Sequence, residues 1–296
     1  MTYGQLSIIV IQKLENIYGL REAKSIQRYL FSSLEDRSAT QWLLIQDQET
    51  TEDFERQVLT MLPELIQKMP VQYVVKKSWF NNLPFIVTPS VLIPRPETEE
   101  LVNRVIEDTA HLKSLKILDI GAGSGAICIS LAKHLDSSEV TAIDISDDAL
   151  DIARKNAQLN NVVVNFLQYD ILKFKFVDDI GIKTFGEFDV IVSNPPYVKE
   201  SEKVLMQENV LNYEPHIALF VKDEDPLLFY RAIIEFSLLH LAKDGYLYFE
   251  INENEGHNLK ALLQLKGFEH IDLYKDFHDR DRFIRARKIK STDCQS

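Results

Sequence analysis

The chain has 296 residues, 45% of them hydrophobic and 26% charged, with a net charge of −12. That length can bury one large core or two modest ones, the composition is that of a globular protein rather than a fibrous or disordered one, and no apolar run reaches the roughly 18 residues that suggest a membrane span. Acidity on this scale is a poor start for gripping phosphate backbones, and Cys128 and Cys294 stand far apart without a metal-like spacing, so neither a disulfide nor a metal site is expected.

The chain opens Met1-Thr2-Tyr3-Gly4-Gln5, without the basic stretch and cleavage site of a signal peptide, which makes a cytoplasmic location the expectation. From residue 1 to about 70 the pattern is helical. Ile8, Ile9, Ile11, Leu14 and Ile17 recur at near-helical spacing, as do Ile26, Tyr29, Leu30 and Leu34, and a short helix is expected around Trp42-Leu43-Leu44. A fourth helix is expected from Thr51 to Met69, with Thr51 as its cap and Phe54, Val58, Met61 and Leu62 as its apolar stripe. Pro63 should kink or divide that helix and Pro70 should stop it. No chemistry stands out here, and a plain helical bundle and a substrate-docking module both remain open. At Val71 the period changes: Val71, Tyr73 and Val75 alternate, Asn81-Asn82 makes a turn and Phe85-Ile86-Val87 follows, which predicts a β-hairpin linking two domains. Pro96 then suits the first turn of a helix whose following acids suit the positive end of its dipole.

From Ser114 onward, strands are expected near 115–120, 139–144, 163–167, 188–193, 245–251, 269–275 and 281–286, and helices near 97–110, 124–135, 147–159, 227–242 and 256–266 fill most of the gaps. Such alternation predicts a doubly wound, mostly parallel α/β sheet. The polar loop around Asp276 to Arg280 leaves no room for a crossover helix, so the last two strands should form an antiparallel hairpin. The basic residues Arg280, Arg282, Arg285, Arg287, Lys288 and Lys290 read as the solvent face of that hairpin rather than as a nucleic-acid patch.

Two motifs carry chemistry. The strand Leu115–Ile120 runs into Gly121-Ala122-Gly123-Ser124-Gly125 and then a helix, which places three of the chain's ten glycines in one turn at the ligand-binding edge of such a sheet. A dinucleotide loop reads G-x-G-x-x-G, whereas here the third glycine comes one position early, and Asp119 stands where such sites are usually apolar. A pyrophosphate needs helix N-terminal donors; a sulfonium amino acid tolerates a nearby acid, and the loop is similar to that of class I S-adenosylmethionine methyltransferases. Asp144 ends the next strand and can bind ribose hydroxyls. Asp170 follows the third strand, where it could accept from an adenine amino group or be a plain surface acid. The second motif, Asn194-Pro195-Pro196-Tyr197, closes the apolar run Phe188–Ser193. The Asn194 oxygen and the Pro195 carbonyl can accept two N–H bonds, the prolines stiffen the turn, and the Tyr197 ring can cover a plane. This suits a planar nitrogen held still while a methyl group arrives; the plain alternative is a proline turn.

The motifs stand about 70 residues apart on the first and fourth strands of one sheet, an arrangement that resembles methyltransferases of planar nitrogens. The segment Ser90-Val91-Leu92-Ile93-Pro94-Arg95-Pro96-Glu97-Thr98-Glu99-Glu100-Leu101-Val102 closely resembles the signature of the release factor glutamine methyltransferases, the HemK/PrmC family. Further matches lie at Pro70-Val71-Gln72-Tyr73, Glu214-Pro215, Ala218-Leu219, Tyr230, Phe249-Glu250-Ile251, Lys275-Asp276 and Asp281-Arg282, so the resemblance covers nearly the whole chain. Departures stand at Val74 to Lys77, at Phe220-Val221-Lys222 and at Asn252, where the family usually has glycine.

The resemblance implies a class I, Rossmann-like methyltransferase domain over 96–290, with a seven-stranded, mostly parallel sheet ending in an antiparallel hairpin. It also implies a helical substrate-docking domain over 1–70, a β-hairpin linker over 71–95 and a disordered tail over 291–296. The implied reaction moves a methyl group from S-adenosyl-L-methionine to the side-chain amide of the glutamine in the Gly-Gly-Gln motif of peptide chain release factors, releasing S-adenosyl-L-homocysteine. Asn194, Pro195 and Tyr197 are the implied catalytic residues, and Pro196, Arg95 and Glu97 join them in substrate binding. The cofactor would be held by Asp119, Gly121, Ala122, Gly123, Ser124, Gly125, Asp144, Ile145, Asp170, Ile171 and Asn194. A monomer without direct nucleic-acid or membrane contact is expected. The rivals are a ribosomal-protein glutamine methyltransferase, a DNA or RNA base amino-methyltransferase and a non-catalytic cofactor-binding protein.

Overall fold

Strong local signals start and stop the first helices. The computed structural model describes residues 1–35, 37, 39–174 and 185–289. Helix α1 (Tyr3–Tyr18) opens on a capping box: the Gln5 N–H donates to the Thr2 hydroxyl at 3.2 Å and the Thr2 N–H donates to the Gln5 side chain at 2.9 Å. Gly19, at φ +77°, ends it and turns the chain into α2 (Leu20–Leu34). After the short α3 (Ala39–Leu44), α4 (Glu52–Ile66) is capped by the Thr51 hydroxyl, which accepts from the Phe54 N–H at 3.2 Å. Pro63 does not divide α4. It sits in the last turn, so its missing N–H costs a single ladder bond near an end that must finish anyway. Leu6, Val10, Leu14, Leu30, Val58 and Leu65 are fully buried between these helices.

Val71–Val74 is α5, a single helical turn, not the first strand of the hairpin. The Tyr73 and Val74 N–H groups both bond to the Pro70 carbonyl, at 2.9 and 3.1 Å. Val71 and Val74 lie three apart and share the buried face, so a run that reads as alternation also satisfies the helical period. The helices form one compact unit, Met1–Lys77, together with Val87–Pro89 and Met206–Glu214. Within it, Lys68 pairs with Glu208 at 2.5 Å and the Tyr213 hydroxyl donates to the Gln67 carbonyl at 2.7 Å.

The second unit takes Ser78–Ile86, Ser90–Leu205 and the chain from Pro215 onward. Its hairpin, β1 (Lys77–Phe80) and β2 (Leu83–Ile86), turns at Asn81-Asn82, both left-handed at φ +49° and +60°, as a two-residue turn of this kind requires. After α6 (Pro96–Thr109) come β3 (Lys116–Ile120), α7 (Ala126–His134), β4 (Glu139–Asp144), α8 (Asp147–Leu159), β5 (Asn165–Gln168) and β6 (Phe188–Ser193). A short parallel pair, β7 (Val198–Lys199) and β8 (Phe220–Val221), precedes α9 (Leu228–His240), β9 (Leu241–Glu250), α10 (Gly256–Leu265), β10 (Phe268–Lys275) and β11 (Asp281–Lys288).

The seven-stranded sheet runs in the order β10-β11-β9-β6-β3-β4-β5. Its neighbours from β9 through β5 are parallel, and β11 is antiparallel to both β9 and β10. Alternation along the central strands feeds two cores: Ile117 packs with Leu101, Val105 and Ile127 of α6 and α7, and its neighbour Leu118 packs with Ile233, Ile234 and Leu259 of α9 and α10. The chain winds outward from β3 through β4 to β5, then returns to place β6 on the other side of β3. The crevice outside the ends of β3 and β6 is therefore the switch point where open α/β sheets bind ligands. The tail 291–296, expected to be disordered, lies outside the described residues.

Candidate active site

The turn after β3 is held by its backbone. Gly121, Gly123 and Gly125 are left-handed, at φ +84°, +53° and +83°. The Gly121 and Ala122 N–H groups donate to the Ile143 carbonyl at 2.8 and 3.0 Å, which locks the turn onto β4. A side chain at Gly123 would meet nothing within 4 Å, and one at Gly121 would meet only the Asn194 carbonyl, at 4.0 Å. Those two glycines leave open space beside the backbone. Gly125 serves another purpose, because a Cβ there would stand 2.7 Å from Ile129 Cδ1 and 3.2 Å from Ala153 Cβ, so it lets α7 approach α8. Asn156 of α8 ties the turn to the hairpin, donating to the Ser124 and Ile86 carbonyls at 2.9 Å each.

Three acids surround this turn in different settings. Asp144 is fixed at the end of β4, its two oxygens accepting from the Gly123 and Ser146 N–H groups at 2.8 and 2.9 Å. Burial pushes its carboxyl above the ordinary value, and those N–H groups pull against it. Asp170 accepts from the Leu172 N–H at 3.0 Å and pairs with Lys173 at 3.4 Å. Asp119 is fully buried beneath the turn, accepting from the Cys128 N–H at 3.1 Å, and its other oxygen has no partner among the described residues. Burial pushes its carboxyl up to about 7.

The turn after β6 is held by side chains. The Ser193 hydroxyl donates to the Ile120 carbonyl at 2.6 Å and so joins the ends of β6 and β3. The Asn194 amide donates to the Thr98 hydroxyl at 3.2 Å, and that hydroxyl donates to Glu250 Oε2 at 2.6 Å. The Tyr197 hydroxyl donates to Glu250 Oε1 at 2.9 Å. Glu250 is 1% exposed and Thr98 5% exposed, so the bond between them is buried, and the Asn194 and Tyr197 bonds that flank it are half-buried.

Both turns open onto one cavity of about 280 Å³. Gly121, Ala122, Gly123, Ser124, Asp144, Ile145, Asp170 and Ile171 line one side, and Asn194, Pro195, Pro196 and Arg95 the other. Asp119, Gly125, Tyr197 and Glu97 do not line it. Asp119 points under the turn, Gly125 faces α7, and Tyr197 directs its hydroxyl to Glu250. Thr98, Phe80, Tyr169, Ile217 and Phe229 also line the cavity, and neither motif contains them. Of these, Tyr169 stands beside Asp170 and Thr98 sits inside the 90–102 signature, so adjacency was the available signal.

Residues 111–251 match the sequence pattern of a family described as methyltransferase domain. The chain is 43% identical over 279 residues to the release factor glutamine methyltransferase of Flavobacterium psychrophilum, covering 93% of this chain and 95% of the relative. It is 36% identical over 285 residues to that of Bacteroides thetaiotaomicron, covering 96% of this chain and 100% of the relative. The chain belongs to the release factor glutamine methyltransferase family. A solved 16S rRNA N2 G1207 methyltransferase from T. thermophilus, in complex with AdoMet and guanosine, shares the fold at a TM-score of 0.50 and 18% identity, over 72% of this chain and 49% of that one.

For a family member the cavity has a suitable donor set. Arg95 is the single basic side chain among the described residues that line it. Asp144 and Asp170 at the ends of adjacent strands, with the open space beside Gly123, suit a nucleoside carrying a sulfonium. Asn252 is 6% exposed, and its amide donates to the Tyr197 carbonyl and to Glu202, each at 3.2 Å. A glycine there would leave those two acceptors without that donor.

Proposed function

We propose that this chain transfers the methyl group of S-adenosylmethionine to the side-chain amide nitrogen of the Gly-Gly-Gln glutamine in peptide chain release factors. The observation that carries the reading is one cavity at the β3/β6 switch point, lined on one side by the glycine turn and on the other by Asn194-Pro195-Pro196, in a chain that matches its relatives over nearly their full length.

S-adenosylmethionine, when bound, supplies a methyl group on an electron-poor sulfur. Asp144 takes the ribose hydroxyls and Asp170 the adenine amino group, with Gly121 and Gly123 allowing close approach. The amide nitrogen is a poor nucleophile because its lone pair is delocalised into the carbonyl. Asn194 Oδ1 and the Pro195 carbonyl hold its two hydrogens and turn the nitrogen toward the donor. Such positioning of two reactants can contribute about 7–11 kcal/mol in well-aligned cases. No His or Cys is among the described residues lining the cavity, and the methylated nitrogen, being far more acidic, loses its proton to water.

Residues 1–70 dock the release factor, 71–95 link and 96–290 carry the chemistry. The enzyme acts as a cytoplasmic monomer without direct nucleic-acid contact, in keeping with its net charge of −12; no helix among the described residues is long and apolar enough to cross a membrane. The test is transfer of labelled methyl to a purified release factor, beside the same factor with its Gly-Gly-Gln glutamine changed to alanine. Label on the first alone supports the reading. Label on neither, with label instead on a ribosomal protein or nucleic acid, overturns it.

A further inference from the structure

We propose that Glu250, acting through Thr98, is a positioning residue that sets the orientation of the Asn194 amide, so that its oxygen and not its nitrogen faces the substrate. The inference rests on the reading of Asn194 as the acceptor for the glutamine amide.

The argument is one of proton counting. An ionised carboxylate only accepts hydrogen bonds. Each hydroxyl has one proton to give. Tyr197 spends its proton on Glu250 Oε1 and Thr98 spends its proton on Glu250 Oε2, at 2.9 and 2.6 Å. The Thr98 oxygen can then only accept, and the group that meets it at 3.2 Å must be the NH2 of Asn194. An amide's nitrogen and oxygen are distinguished by such a network rather than by shape. With the nitrogen committed to Thr98, Oδ1 is left without a partner among the described residues, on a residue that lines the cavity. A reversed amide would present two donors to a substrate group that itself has two donors.

Sequence distance makes this an arrangement of the fold. Thr98 lies in the first turn of α6, Asn194 follows β6 and Glu250 ends β9. Beta strands β6 and β9 are parallel neighbours with Ser193 beside Phe249, so Asn194 and Glu250 are the next residues along each strand. Burial of Glu250 to 1% exposure and of Thr98 to 5% holds the bond between them away from bulk water. Burial also raises the Glu250 carboxyl, against which the Thr98 and Tyr197 hydroxyls and the Arg282 charge favour the ionised form.

Three variants test it. Glu250→Gln keeps the shape and replaces an acceptor-only group with one that both donates and accepts. Thr98→Val keeps the shape and removes the relay, and Thr98→Ser restores a hydroxyl. For Glu250→Gln and Thr98→Val, kcat should fall roughly 10- to 100-fold, less than the roughly 100- to 1000-fold of a preorganised dipole removed outright. KM for the release factor and the dissociation constant for S-adenosylmethionine should stay within about threefold, and Thr98→Ser should recover most of kcat. Native kcat in Glu250→Gln would overturn the proposal, as would a joint loss of kcat and cofactor affinity that Thr98→Ser fails to repair. A second readout needs no protein substrate. Hydrogen exchange of the assigned Asn194 side-chain NH2 by NMR should be slow for one proton in the native chain and fast in Thr98→Val. Equal, fast exchange in both would overturn the orientation. Slow exchange in a native chain that labels no release factor would support the relay and count against the release factor as target.

Discussion

The two sides of the cavity are built from different materials. On the β3 side the shape is made by main chain: left-handed glycines, N–H groups on the Ile143 carbonyl, and an Asp144 carboxylate gripped by two more N–H groups. On the β6 side it is made by side chains drawn from three distant segments, Thr98, Asn194 and Glu250. A main-chain cradle suits a ligand recognised mainly by shape and by a few fixed acceptors. A side-chain chain of bonds can fix which end of one amide points into the site. The first side should therefore govern how tightly the donor binds, and the second should govern how fast the methyl moves.

The sharpest way to break this division is Asn194→Ala. Loss of one preorganised acceptor should cost about 2.7–4 kcal/mol of transition-state stabilisation, or roughly 100- to 1000-fold in rate. Donor affinity, measured by calorimetry, should survive. A variant with near-native turnover would remove Asn194 from the reaction. Asp144→Asn is the converse. It exchanges a charged acceptor for a neutral one whose NH2 faces backbone donors, so S-adenosylmethionine should bind roughly 10-fold more weakly or worse. At saturating donor, kcat should remain within about threefold. A collapse of kcat with unchanged affinity would show that the two sides are not divided in this way.

The same division explains what the sequence made legible. The glycine turn was readable because strand, turn and helix are contiguous, and the Asn194 turn because four adjacent residues carry it. The seven strands and their antiparallel ending followed from alternation and from a loop too short for a crossover. The work of Thr98 and Glu250 was not readable. A threonine in a helix's first turn and a glutamate at a strand's end are ordinary, and only folding brings positions 98, 194 and 250 to one place. Val71–Val74 reads as a strand but folds as a helical turn because so short an apolar run satisfies two periods. Met206–Glu214 gave no local sign that it packs with the N-terminal helices, since its ties run through Lys68 and Gln67, which are remote in sequence.

The smallest expected effect separates foundation from lining on the β3 side. Asp119 looks like a ligand-binding acid by its place before the glycines, yet it lies fully buried and braces Cys128. Burial, helped by the nearby Asp144 charge, pushes its carboxyl up from 3.8 to about 7, and the Cys128 N–H only partly offsets that. A carboxyl whose pKa is higher folded than unfolded keeps a proton that the unfolded chain has shed. The stability it contributes is fully present below 3.8 and is lost as pH rises through about 7. Asp119→Asn retains an acceptor for the Cys128 N–H and cannot ionise. Without donor, the melting temperature of the variant relative to the native chain should rise between about pH 4 and pH 7, by on the order of a few degrees, and level off above that. A difference that stays flat across this range would mean that Asp119 is ionised in the fold, in which case its second oxygen has a partner in water and the acid belongs with the lining.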